Sequence, residues 1–243
     1  MKPTSPAQRH MARVLAEKAA ATSVHGEPVQ GSAYDLMCAK LITDRQRLKQ
    51  IQSIKKKIEV KREILPDYNE WVESTLKYGK GAQDTVLVTV LVWYIDTGDY
   101  ARALEVAHYC MFHNLSLPDQ YNRNLATMLL DEIPGEYLAG RFENPKEALA
   151  TLKAVQLMTV DEDVPDQAMA KLYKALGYAQ IGKIGNGDIE FDQLSEDDTS
   201  RALDYLRKAL DLTDGIGVKK DIERLERRLK QLADAKTQTQ AQA

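Results

Sequence analysis

Arg45, Lys49, Lys55, Lys56, Lys57, Lys61 and Arg62 are cations crowded into one short stretch, and the chemistry open to such a set is the neutralisation of phosphates. From Lys40 to Arg62, nine of 23 residues are Lys or Arg, and only Asp44 and Glu59 are acidic. The stretch carries +7 in a chain of formal net charge −3, so the other 220 residues carry −10. Charge segregated in this way predicts a polyanion at one face rather than affinity for nucleic acid over the whole surface. The same pattern also describes a solvated surface helix with no ligand.

Other chemistry is harder to find. A metal-dependent nuclease needs two or three convergent carboxylates. Asp84, Asp96, Asp99, Asp131 and Glu132 are the candidates by position near helix ends. Capping explains Asp96 and Asp99, and Asp131-Glu132 before Pro134-Gly135 fit a helix terminus. Asp188, Glu190 and Asp192 alternate like the start of a calcium loop, but Gln193 and Thr199 stand where that loop needs Gly and Glu. Gly79-Lys80-Gly81 lacks the spacing of a phosphate loop and reads as a hinge. His10, His25, His108 and His113 show no pairing with a nucleophile. Cys38 and Cys110 are far apart with no CxxC, which suits a reducing cytosol and argues against structural zinc. Spacing alone therefore identifies no catalytic residue, no metal ligand and no cofactor motif.

The elements that must position the basic residues are helical. Met37, Leu41, Leu48, Ile51, Ile54 and Ile58 recur at helical period, so Ala33 to Leu65 predicts one long amphipathic helix. On a straight helix, Arg45, Lys49 and Lys56 would form a ridge with Lys57 and Lys61 beside it. Lys40, Arg47, Lys55 and Arg62 would snorkel around the apolar stripe. Residues 1–32 read as a mobile arm with one short helix, started by Ser5-Pro6 and broken by His25-Gly26-Glu27-Pro28. Residues 33–66 are the basic helix, 67–232 a helical domain and 233–243 a disordered Thr/Gln/Ala tail. Val86–Ile95 is the longest apolar run and about half of what a membrane span needs, so a soluble intracellular protein is expected.

That run reads as a helix because Gly98-Asp99-Tyr100-Ala101-Arg102-Ala103 follows it, like the turn and second helix of a tetratricopeptide repeat. Ala148-Leu149 and Ala202-Leu203 open two further second-helix patterns. Spacings of 45 and 54 residues between Ala103, Ala148 and Ala202 are irregular, with an insertion at Gly182 to Asp198. The expected fold is all-α: a long basic helix followed by an irregular tetratricopeptide-like bundle.

Three blocks carry a family signal. Thr4-Ser5-Pro6-Ala7-Gln8-Arg9-His10-Met11, Tyr78-Gly79-Lys80-Gly81-Ala82-Gln83-Asp84 leading into Trp93 and Asp96-Thr97-Gly98-Asp99, and Gly217-Val218-Lys219-Lys220-Asp221-Ile222-Glu223-Arg224-Leu225-Glu226 are the three. Together they resemble the small terminase subunit of temperate contractile-tailed bacteriophages. The resemblance implies recognition of the packaging site on concatemeric phage DNA and delivery to a large ATPase subunit, in the host cytoplasm. It implies an endonuclease label without catalytic residues to carry over; no cofactor is evident, with Mg2+ the candidate if this subunit cuts DNA. It also implies a homo-oligomeric ring. A protein-interaction and ring-assembly scaffold without enzymatic activity is the competing reading.

Overall fold

The computed structural model describes residues 5–118, 123–142, 145–185 and 187–241; Thr4 and the last two residues of the expected tail lie outside them. The fold is all-α, and among the described residues the one extended pairing is an isolated bridge between Pro28 and Gln83. The chain divides into two compact units, residues 1–125 and 126–243.

The first unit holds α1 (Pro6–Thr22), α2 (Ser32–Lys49), α3 (Ile54–Ile64), a 3-10 turn (Leu65–Tyr68), α4 (Asn69–Tyr78), α5 (Thr85–Thr97) and α6 (Tyr100–Phe112). Ser5 and Gln8 close a reciprocal capping box at the start of α1, as Ser5-Pro6 predict. The small-residue face Ala16, Ala19 and Ala20 is buried, and α1 packs on α4. Gly26 and Val29 then donate backbone hydrogen bonds to the carbonyls of Gly81 and Gln83. The segment read as a mobile arm is thus packed into the unit.

Two further expectations change. Gly81 (φ +79°) donates its N–H to the Tyr109 hydroxyl at 2.9 Å, and a Cβ on it would run into the His113 ring. Gly79-Lys80-Gly81 is therefore a pinned close approach and not a hinge. The single helix over Ala33–Leu65 is two helices, interrupted at residues 50–53. The Ser53 hydroxyl accepts from the Lys56 N–H and caps α3, offering the backbone an alternative to helix continuation. Arg47 pairs with Glu63 at 2.9 Å, whereas 16 residues of straight helix would separate them by about 24 Å. The chain doubles back, and the straight basic ridge does not exist. Ile54, expected on the apolar stripe, is 76% exposed at the corner.

Val86–Ile95 is helical as expected, and α5 is buried along most of its length. Gly98, at φ +80°, turns the chain into α6, which Asp99 caps by accepting from the Arg102 N–H. Ala103 is fully buried on α6, which packs on α5, while Ala101 is exposed. Ala103→Leu should overpack this contact and cost about 1–3 kcal/mol. Ala101→Leu should stay within about 0.5 kcal/mol. Urea midpoints compare the two, and equal shifts would mean the packing of this helix pair is misassigned.

The second unit contains α7 (Leu125–Leu138), α8 (Pro145–Thr159), α9 (Asp166–Gln180), α10 (Glu196–Leu212) and α11 (Lys219–Ala241). Ala148, Leu152 and Val155 on α8, and Ala202, Leu203, Leu206 and Ala209 on α10, are buried where α9 packs between the two helices. α9 and α10 run antiparallel, with Tyr173 stacked on Tyr205 and Gln180 bonded to Asp198. α7 continues through Pro134 instead of ending before it; burial of Ile133, Pro134 and Tyr137 outweighs the lost backbone bond. α11 extends beyond Leu232, so helix occupies the described part of the expected tail.

Candidate nucleic-acid interface

Breaking the helix at residues 50–53 regroups the basic residues. Lys49 ends α2, and Lys55, Lys56 and Lys57 fall in the first turn of α3, so all four flank one exposed corner. None of these four side chains has an ion-pair partner among the described residues. Lysines in a helix's first turn face the positive end of its dipole, each costing roughly 0.3–1 kcal/mol. No acidic residue in that turn offsets them. The corner is therefore electrostatically unfavourable for the folded protein alone, and an approaching anion would relieve it.

The other three cations of the set are used internally. Lys61 pairs with Asp96, and the Arg62 guanidinium donates to the Thr97 carbonyl at 2.9 Å. Together they clamp α3 onto the C-terminal end of α5, where positive charge is favourable. Arg45 is half-buried and has an interaction partner within the chain. Lys40 and Arg47 likewise form ion pairs rather than merely covering apolar surface.

A network that periodicity does not reveal holds α2 in place. The buried Asp44 carboxylate accepts from Lys40 Nζ at 2.8 Å and from the Tyr68 hydroxyl at 2.7 Å; Lys40 also reaches Asp67 at 3.0 Å. Lys40-x-x-x-Asp44 is a visible i,i+4 pair, but its tie to Tyr68 depends on the reversal of the chain. The Ser53 cap before Ile54 was the legible signal for that reversal.

Each candidate carboxylate has a partner within the chain. Asp84 is fully buried; it accepts from Trp71 Nε1 at 2.7 Å and from the Leu87 N–H at 3.0 Å as the cap of α5. Asp96 is held by Lys61, Asp99 caps α6, and Asp131 pairs with Lys171 at 2.8 Å. Glu132 is half-buried on α7. Among the described residues no group of three His, Cys, Asp or Glu side chains is placed to hold a metal ion.

Burial pushes the Asp84 carboxyl from 3.8 up to about 6, against the hydrogen bonds that favour its ionised form. The folded state then holds this proton more tightly than the unfolded state. Asp84's contribution to stability is therefore fully present below pH about 4 and is lost, by up to about 3 kcal/mol, as pH rises through 6. Asp84→Asn should lack this component. Urea unfolding at pH 4, 5, 6 and 7 for both proteins measures the difference; parallel pH profiles would remove Asp84 as its source.

The phage small terminase subunit family model matches residues 38–167, a span that includes this corner. The chain is 38% identical over 93% of its length to the "Terminase, endonuclease subunit" of Escherichia phage P2, covering 86% of that protein. It is 25% identical over 84% of its length to the "Probable terminase, endonuclease subunit" of Haemophilus phage HP1, covering 73% of that protein. No solved structure is significantly similar to it. With the family model spanning more than half of the sequence and the phage P2 protein aligned along nearly all of it, the chain belongs to the phage small terminase subunit family.

Proposed function

We propose that this protein binds the packaging (cohesive-end) site on concatemeric double-stranded phage DNA and presents it to the large terminase ATPase subunit in the host cytoplasm. Family membership supports a role in phage DNA packaging. The observation that carries the DNA-binding reading is the corner of Lys49, Lys55, Lys56 and Lys57: none of the four has an ion pair among the described residues, and the last three oppose the α3 dipole. Lysines there would meet phosphates, so site selection must come from other contacts or from DNA shape. Electrophoretic shift of packaging-site duplex across a salt series tests it. Binding with no salt dependence would remove the lysine corner as its basis.

An endonuclease role is motivated by the names of both relatives. The purified protein with Mg2+ or Mn2+ should nick packaging-site DNA without the large subunit if the chemistry is its own. Cleavage only after addition of the ATPase subunit would assign it to that partner.

The competing reading, a ring-assembly scaffold, is favoured by exposed Leu36 (66%) and Ile42 (56%) on α2. Deleting residues 33–65 would remove buried Leu41, Leu48, Val60 and Ile64, so point changes are the cleaner test. Leu36→Glu with Ile42→Glu should dissociate an oligomer seen by light scattering; an unchanged mass would exclude these two side chains from assembly. No helix among the described residues is long and apolar enough to cross a membrane.

A further inference from the structure

In the second unit, a cavity of about 620 Å³ lies beside α9 and the start of α11. Lys174, Lys183, Lys219, Lys220 and Arg224 line it, against only two carboxylates, Asp214 and Asp221. Asp221 is buried and internally paired: its Oδ2 accepts from the Tyr178 hydroxyl at 2.8 Å and from Lys183 Nζ at 2.7 Å, and its Oδ1 lies 3.6 Å from Arg224. Asp214 pairs with Lys219 at 2.6 Å.

What remains is a surplus of positive charge. Lys174 has only a neutral acceptor, the Ile216 carbonyl at 2.8 Å, and Lys220 is exposed with no ion-pair partner among the described residues. Lys174 and Lys183 both approach the Tyr178 ring, at 5.7 and 4.3 Å from its centroid. Burial, and then the charge of Lys183, hold the Lys174 ammonium below its usual range. Lys219 and Lys220 open α11; the Asp221 and Ile222 amides already donate to the Val218 carbonyl, so the first two amides are the ones that face the helix entrance.

We propose that this cavity binds a phosphate monoester, with the phosphate seated among Lys174, Lys220 and Arg224 at the start of α11. A dianion fits the surplus better than a carboxylate, and point-charge ammoniums joined by a guanidinium fork suit phosphate oxygens. The cavity is larger than a bare phosphate needs, which leaves room for the group esterified to it. A free nucleotide and the terminal phosphate of a DNA strand share this chemistry. The proposal is independent of the α2–α3 corner, which belongs to the other unit.

Isothermal titration of the full chain tests the proposal with a nucleoside 5′-monophosphate, its parent nucleoside, and a short duplex bearing either 5′-phosphate or 5′-hydroxyl ends. The expected result is binding that requires the phosphate and weakens about tenfold or more in Lys174→Met and in Lys220→Ala. Lys55→Ala with Lys56→Ala should leave that phosphate preference intact. Exposed Lys220 carries the test should Lys174→Met fail to fold. Saturable binding of the small monoester identifies a free ligand, whereas a preference seen only between the two duplexes identifies a strand end. Equal affinity with and without phosphate in both arms, or affinity unchanged by Lys220→Ala, overturns the proposal.

Discussion

Lys55→Glu, Lys56→Glu and Lys57→Glu combined should abolish duplex binding while leaving the protein as stable as before, or slightly more so. The two halves of this result have one origin. The three lysines lie in the first turn of α3 without ion-pair partners among the described residues, so the fold loses little beyond the packing of the half-buried Lys57 stem. Acidic residues at a helix N-terminus gain roughly 0.3–1 kcal/mol each from the dipole. For DNA the change removes up to three phosphate contacts and adds repulsion. The logarithmic salt slope should flatten by about 3, and affinity at low salt should fall on the order of 10²–10⁴-fold. Lys61→Met with Arg62→Met should behave in the opposite way. It removes the clamp on Asp96 and Thr97, costs on the order of 1–3 kcal/mol, and leaves the corner's charge in place. Shift assays and urea unfolding on both variants separate the roles. Retained binding in the α3 triple variant would refute the corner as the DNA contact.

Trp71→Ala should be the most damaging single substitution in the first unit, at about 3–5 kcal/mol. Trp71 is 4% exposed, stacks on Tyr34 with centroids 5.7 Å apart, and gives its indole N–H to Asp84. Truncation would empty ring volume between α2 and α4 and strip a donor from a buried carboxylate that caps α5. Trp71→Phe keeps one aromatic ring but removes the N–H and part of the indole volume, so it should cost about 1–3 kcal/mol. It should also push the Asp84 carboxyl further up and carry the pH-dependent loss of stability beyond pH 6. Chemical unfolding of the three proteins at pH 5 and 7 distinguishes volume from hydrogen bonding. A loss below about 1 kcal/mol for Trp71→Ala would show that this contact is not central to the unit.

Local information was enough for the fold class and for most helix positions. Ser5-Pro6 started α1, Gly98-Asp99 turned α5 into α6, and the small residues Ala103, Ala148 and Ala202 marked faces that are buried. These features depend on hydrogen bonds and steric limits within a few residues, so spacing reveals them. The local charge of the Lys40–Arg62 stretch was likewise legible.

Which of those charges stay available was decided only by tertiary structure. Periodicity extrapolates a helix through Gln50–Ser53, because apolar residues at Leu48, Ile51 and Ile54 keep the right spacing. The Ser53 cap competes with that extension, and long-range pairs such as Arg47–Glu63 and Asp44–Tyr68 favour the reversed chain. The reversal turns Lys61 and Arg62 inward to α5 and leaves Lys49, Lys55, Lys56 and Lys57 at the corner. Asp84 and Asp221 show the same limit: nothing in their neighbours in sequence marks them as buried, and the side-chain donors that hold them, Trp71 for Asp84 and Tyr178 and Lys183 for Asp221, lie 13, 43 and 38 residues away. Composition and spacing could therefore place a charge on a helix, but its freedom to meet a ligand depends on partners that only the folded chain brings within reach.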